Sequence, residues 1–218
     1  MLASAVRQVP AKTRTDAWSE RTRHGASGRK YFDSRLGVEV ARILPGDYQV
    51  TRENMGLVTT LGSCVSACIR DSVAGIGGIN HFMLPESELN TASMASARYG
   101  SYAMEVLVNE LLKQGAVRDN LEAKVFGGAN VLRSITSCDV GLRNAEFVHQ
   151  YLNNEQIPII AEDLGDTCPR KVIYFPKTGR VLVMRLATAL NREELEAERI
   201  YQESLREKAV SGDVELFA

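Results

Sequence analysis

Thr59-Thr60-Leu61-Gly62-Ser63-Cys64-Val65-Ser66-Ala67-Cys68-Ile69-Arg70-Asp71 reads as two extended segments joined by a tight turn. Leu57 to Thr60 is strand-like and is halted by Gly62. From Cys64 to Ile69 small and apolar residues dominate, until Arg70-Asp71 ends the run. Gly75-Ile76-Gly77-Gly78-Ile79-Asn80-His81-Phe82-Met83-Leu84 follows and is closed by Pro85. An apolar run interrupted by glycines predicts a buried strand whose backbone lies close to another element.

Upstream, Val38 to Leu44 alternates as a half-buried strand does, Pro45-Gly46-Asp47 is a turn signal, and Tyr48 to Thr51 resumes extended structure. Downstream, residues 86–96 are small and polar and predict a loop. Tyr99 to Gln114 has helical spacing, with Tyr102, Met104, Val106, Leu107, Leu111 and Leu112 on one side and Gly115 as its stop. Ala123 to Phe126 is a short strand entering Gly127-Gly128-Ala129-Asn130. These two glycines are too few for a dinucleotide fingerprint and suit close backbone approach. Arg143 to Asn154 predicts a second helix with Phe147, Val148, Tyr151 and Leu152 inward, and Pro158 to Ala161 a strand. Lys171 to Phe175 and Arg180 to Leu186 flank Pro176-Lys177-Thr178-Gly179 as a hairpin. Beyond Asn191, with Glu194 three residues on, Leu195, Ile200, Tyr201 and Leu205 recur among charges. That pattern predicts an amphipathic helix docked on the domain or on a partner. Strands, helix, strand, helix and more strands do not alternate cleanly, so the fold class is α+β (mixed α/β). The domain spans 36–190, with an extension at 1–35 and a charged helix and tail at 191–218.

The 218 residues carry 26 Lys+Arg and 27 Asp+Glu, with 44% hydrophobic residues. That is an ordinary globular composition, large enough for a core without staples. A near-neutral chain argues against a dedicated nucleic-acid binder, and no apolar run is long enough for a membrane span. The neutral sum conceals a basic head. Residues 1–30 hold seven Lys/Arg against Asp16 and Glu20, so the head is +5 and the remainder -6. The head is also poor in large apolar residues, which predicts a flexible basic tail; an organelle transit peptide is the alternative.

The four cysteines are Cys64, Cys68, Cys138 and Cys168, and the histidines are His24, His81 and His149. Without a secretory signal a disulfide framework is not expected, and the spacing fits no zinc site. A thiol that works must become a thiolate, which needs a base or a positive neighbour. Cys64 sits at the turn, and His81 ends a strand that can lie beside it, so the pair can form a nucleophile and general base. Gly62 and Ser63 bring backbone N–H groups toward an oxyanion position. Cysteine is equally a residue of buried cores, and His81 equally a core histidine; spacing leaves both readings open. Cys68, four residues on, is expected in the core, Cys138 and Cys168 as structural or incidental, and His149 on a solvent-facing helix side.

Thr59 to Asp71, with Gly77-Gly78-Ile79-Asn80-His81-Phe82-Met83-Leu84-Pro85, resembles the CheD family of chemoreceptor glutamine deamidases. So do Arg98-Tyr99-Gly100, Lys124 to Ala129, Gly141-Leu142-Arg143-Asn144, Asp163-Leu164-Gly165 and Pro169-Arg170-Lys171-Val172, and the likeness covers about 36–187. The resemblance implies packed mixed β-sheets flanked by helices, similar to the catalytic domain of cytotoxic necrotising factor toxins. It implies hydrolysis of glutamine side chains to glutamate on the cytoplasmic helical region of methyl-accepting chemotaxis proteins, in the cytoplasm and without a cofactor or metal. Cys64 matches the family's nucleophile and His81 its general base. Thr59 is the third member of the triad, with Thr60 as the alternative, because strand neighbours point to opposite faces. A CheC-type phosphatase is implied as a second partner. The competing functions are a regulator-binding module and a cysteine amidase acting on other proteins.

Overall fold

The computed structural model describes residues 30–84, 92–130, 140–186, 196, 199–201 and 203–205. The strands are β1 (Lys30–Asp33), β2 (Val38–Arg42), β3 (Tyr48–Thr51), β4 (Gly56–Leu61), β5 (Val65–Asp71), β6 (Ile76–Asn80), β7 (Leu121–Gly127), β8 (Ile159–Leu164), β9 (Arg170–Phe175) and β10 (Arg180–Arg185). Two long helices are α1 (Ala92–Lys113) and α2 (Val140–Asn154). The strands form two five-stranded sheets, ordered β1-β2-β4-β9-β10 and β3-β6-β5-β7-β8. Each sheet is mixed: β2 runs parallel to β4 in the first, β7 parallel to β8 in the second, and the other pairs are antiparallel. The architecture is α+β, as the element order predicts.

Strand alternation divides the core in two. Val65, Ala67, Ile69, Phe82 and Leu84 point from the second sheet toward the helices, where they meet Met104, Leu107, Leu111, Val148 and Leu152. Their alternates Cys64, Cys68, Ile79 and Met83 point the other way and meet Leu57, Leu61, Val172 and Tyr174 of the first sheet. The layers are therefore helices, second sheet, first sheet. The glycines of β6 have the role their pattern predicts. A Cβ on Gly78 would lie 2.8 Å from Leu107 Cδ1 of α1, so the helix rests directly on the strand backbone.

Some boundaries differ from the sequence expectations. The first sheet begins at Lys30, inside the stretch assigned to the extension at 1–35. Lys30 to Asp33 pair with Val38 to Ala41 through a turn completed by Gly37 at φ 67°. Backbone pairing rather than burial holds this edge strand, since Tyr31 and Phe32 are exposed. Helix α1 starts at Ala92, within the segment read as loop, because short side chains in its first turns mask the periodicity. Tyr102 is 44% exposed and does not join the inward side. It sits two residues from Met104, about 200° around the helix, so the two cannot share a face. The basic stretch 1–29, Cys138 and Leu195 lie outside the described residues.

Candidate active site

Thr59, Cys64 and His81 converge between the sheets. In β4, Leu57 and Leu61 face the inter-sheet core, and Thr59 shares their parity and is buried, whereas Thr60 points to the other face. Val65 and Phe82 exchange two backbone hydrogen bonds of 2.9 Å. Cys64 and His81 therefore project from the opposite face as diagonal neighbours, about 7–8 Å apart at Cα. The β2–β3 turn then fixes the histidine backbone. Gly46 N donates to the His81 carbonyl at 2.8 Å, and His81 N donates to the Asp47 carbonyl at 3.0 Å.

The hydrogen bonds around Thr59 determine the imidazole tautomer. Its hydroxyl donates to the Ile43 carbonyl at 2.9 Å. Having spent its one proton, the Thr59 oxygen can only accept from His81 Nδ1, 2.8 Å away. Nδ1 is then the protonated nitrogen and Nε2 carries the lone pair. His81 Nε2 is buried and has no hydrogen-bond partner among the described residues. Burial pushes the His81 pKa down to about 3, partly offset by the hydrogen bonding to Ile43, so the ring is neutral.

The turn that carries Cys64 is held by its carbonyls. Ala129 N donates to the Gly62 carbonyl at 2.8 Å and Gly128 N to that of Cys64 at 2.8 Å. The Asn144 side chain donates to the Ser63 carbonyl at 2.8 Å. In a trans peptide the N–H points opposite the C=O. The amides of Ser63 and Cys64 are thereby directed away from the 127–130 loop and Asn144. Gly127, at φ 113°, is required here, because a Cβ would collide with the Cys64 carbonyl oxygen. Behind this loop, Gly165 N donates to the Gly127 carbonyl at 2.9 Å. The buried Arg170 in turn grips the Asp163 carboxylate at 2.7 Å and the carbonyls of Asp163 and Gly165.

The other predicted residues fall elsewhere. Cys68 is buried in the inter-sheet core, and burial pushes its thiol well above the usual range. Cys168 is half-buried, and neither it nor Cys64 nor Cys68 is in a disulfide. His149 is exposed and meets Glu162 at 2.7 Å. Among the described residues no cluster of His, Cys, Asp or Glu is placed to hold a metal ion, and no helix is long and apolar enough to cross a membrane.

A family model described as CheD chemotactic sensory transduction matches residues 83–185. A protein of Methylobacillus flagellatus is 54% identical over 190 residues, covering 86% of this chain and 94% of its own length. One of Janthinobacterium sp. is 53% identical over 202 residues, with 92% and 100% covered. One of Xanthomonas campestris pv. campestris is 56% identical over 188 residues, with 86% and 94% covered. The chain belongs to the CheD family. Each of these three CheD relatives carries the name Probable chemoreceptor glutamine deamidase CheD. Among solved structures, a Neisseria meningitidis protein of family model DUF152 aligns with 62% of this chain and 66% of its own at a TM-score of 0.42 and 11% identity.

Two side chains at this CheD site were not legible as site residues. Asn144 is fully buried, and its Oδ1 accepts from Leu84 N at 2.8 Å while its Nδ2 holds Ser63. It ties the turn before Cys64 to the segment after His81. Tyr99 is half-buried beside Cys64; desolvation and the charge of Cys64 both raise its phenol pKa. Both lie in motifs quoted above for the resemblance, but only the folded chain brings their partners near.

Proposed function

We propose that this chain hydrolyses selected glutamine side chains on methyl-accepting chemotaxis receptors to glutamate, with Cys64 as nucleophile, His81 as general base and Thr59 as the residue that orients it. The observation that carries the reading is the Thr59–His81 hydrogen bond, which places a lone pair on Nε2 on the face shared with Cys64. The names of the relatives supply the substrate class. His81 Nε2 takes the Cys64 proton, and Sγ attacks the carboxamide carbon. The amides near Ser63 and Cys64 hold the oxyanion. The imidazolium then donates to the nitrogen, the C–N bond breaks and ammonia leaves a thioester. Water, deprotonated by His81, attacks the thioester; the C–S bond breaks, the thiol is restored and glutamate is released. Each step is proton transfer or acyl transfer, and none calls on a cofactor. The reaction belongs in the cytoplasm, where the helical region of such receptors lies.

The test is incubation of a receptor cytoplasmic fragment with the protein, followed by peptide mass spectrometry. Gain of about one mass unit at defined glutamines, with stoichiometric ammonia, is the expected result. Modification confined to non-receptor proteins would instead indicate a cysteine amidase of another specificity.

A further inference from the structure

Cys64 is 0% and His81 2% exposed, so no substrate atom can reach the thiol in this arrangement. Part of what covers the pair comes from the far end of the chain. Leu205 is 4% exposed and belongs to the same apolar cluster as Cys64 and Met83, and Tyr201 packs against that cluster. The Tyr201 ring rests on Gly46, where a Cβ would be 2.9 Å from it, and Gly46 N is the donor that holds the His81 carbonyl. The Tyr201 hydroxyl hydrogen-bonds the hydroxyl of Tyr99, the phenol beside Cys64.

The opposite side of this segment is built for water. Ile200 is 56% exposed, and Arg199 pairs with Glu196 at 2.6 Å and with Glu203 at 2.7 Å. Tyr201 and Leu205, four residues apart, therefore form a narrow inward stripe on a charged helix. Among the described residues, Tyr201 and Leu205 pack on the domain and one phenol–phenol hydrogen bond joins them to it, a contact that can open without unfolding the sheets.

We propose that the segment carrying Tyr201 and Leu205 is a closing element over the Cys64–His81 pocket, which a substrate has to displace. The displacement half rests on the glutaminase reading above; the closure half does not.

The test is alkylation of the intact, full-length protein by iodoacetamide, read by mass spectrometry at each cysteine-bearing peptide. In the Tyr201→Ala/Leu205→Ala double variant the rate at Cys64 is expected to rise at least tenfold while Cys68 stays protected. An unchanged Cys64 rate, or a rise matched at Cys68, would overturn closure. The same preparations are then assayed on the receptor fragment, where the double variant is expected to show at least fivefold higher kcat/KM. An exposed thiol with unaltered kcat/KM would overturn displacement. No deamidation by either protein would remove the glutaminase reading and the displacement with it, with closure still decided by the alkylation rates.

Discussion

Cys64 and Cys68 stand four residues apart, project into the same inter-sheet core and are equally buried. Their surroundings differ. Beside Cys64 lie an imidazole with a bare nitrogen, a turn whose carbonyls are all held from one side, and the core on which Tyr201 and Leu205 pack. Beside Cys68 lie Tyr174 and the stem of Lys124, and burial outweighs the lysine charge, so its thiol stays protonated. On the proposed reading, a base placed on the same face is what separates a reagent from a packing residue.

The comparison is broken most severely at its first member. Cys64→Ala is expected to lower ammonia release from receptor fragment by at least about 10³-fold, whereas Cys68→Ala should keep near-normal turnover and cost about 1 kcal/mol in urea unfolding. Equal losses from the two variants would erase the distinction. Next is Thr59→Val, which keeps the shape and removes the acceptor for Nδ1. Turnover is expected to drop about 10²-fold, while Thr60→Val, on the other face of the same strand, should stay within about twofold.

The turn can be attacked without touching the thiol or its base. Asn144→Ala leaves the Ser63 carbonyl and Leu84 amide without their buried partner, at a cost of about 2–3 kcal/mol by urea denaturation. Asn144→Asp should not recover it, because its carboxylate keeps the acceptor for Leu84 but sets a buried charged oxygen against the Ser63 carbonyl. The smallest effect is the acid sensitivity of the Cys64 end. His81 titrates near 6.5 in an unfolded chain and at about 3 when folded. As pH falls the unfolded state takes the proton first, so stability is complete above 6.5 and drains away progressively between there and about 3. Between pH 7 and pH 5 the protein should lose about 2 kcal/mol that a His81→Gln variant does not lose. Parallel pH slopes for the two proteins would show that the ring is not held neutral.

Much of this was written locally and could be read locally. The parity that sends Thr59 inward and Thr60 outward is a property of any strand, and Leu57 and Leu61 fix its phase. The glycines of β6 announced a close neighbour, although not that it would be Leu107. What escaped were features defined by distance along the chain. Asn144 reads as one more polar residue near a helix start, yet its partners are 81 and 60 residues away. The amphipathic pattern around Tyr201 foretold docking but not its address, since two apolar side chains fit many surfaces. Helix α1 lost its first turns to the reading because small residues leave no periodic stripe.

The path of the chain between the sheets bears on how this site comes into being. The backbone passes from the first sheet to the second after β2, returns after β3, passes over again after β4, and comes back only after β8. Thr59 belongs to one sheet, His81 follows a strand of the other, and Cys64 sits on the crossing between them. Neither sheet can be completed before the other has begun, so sequence-distant pairings such as β4 with β9 must close together, which favours slow, cooperative folding. If the proposed thiol–imidazole couple is the working one, a nascent or half-assembled chain therefore does not yet hold it together, and the chemistry switches on only with the last stitch.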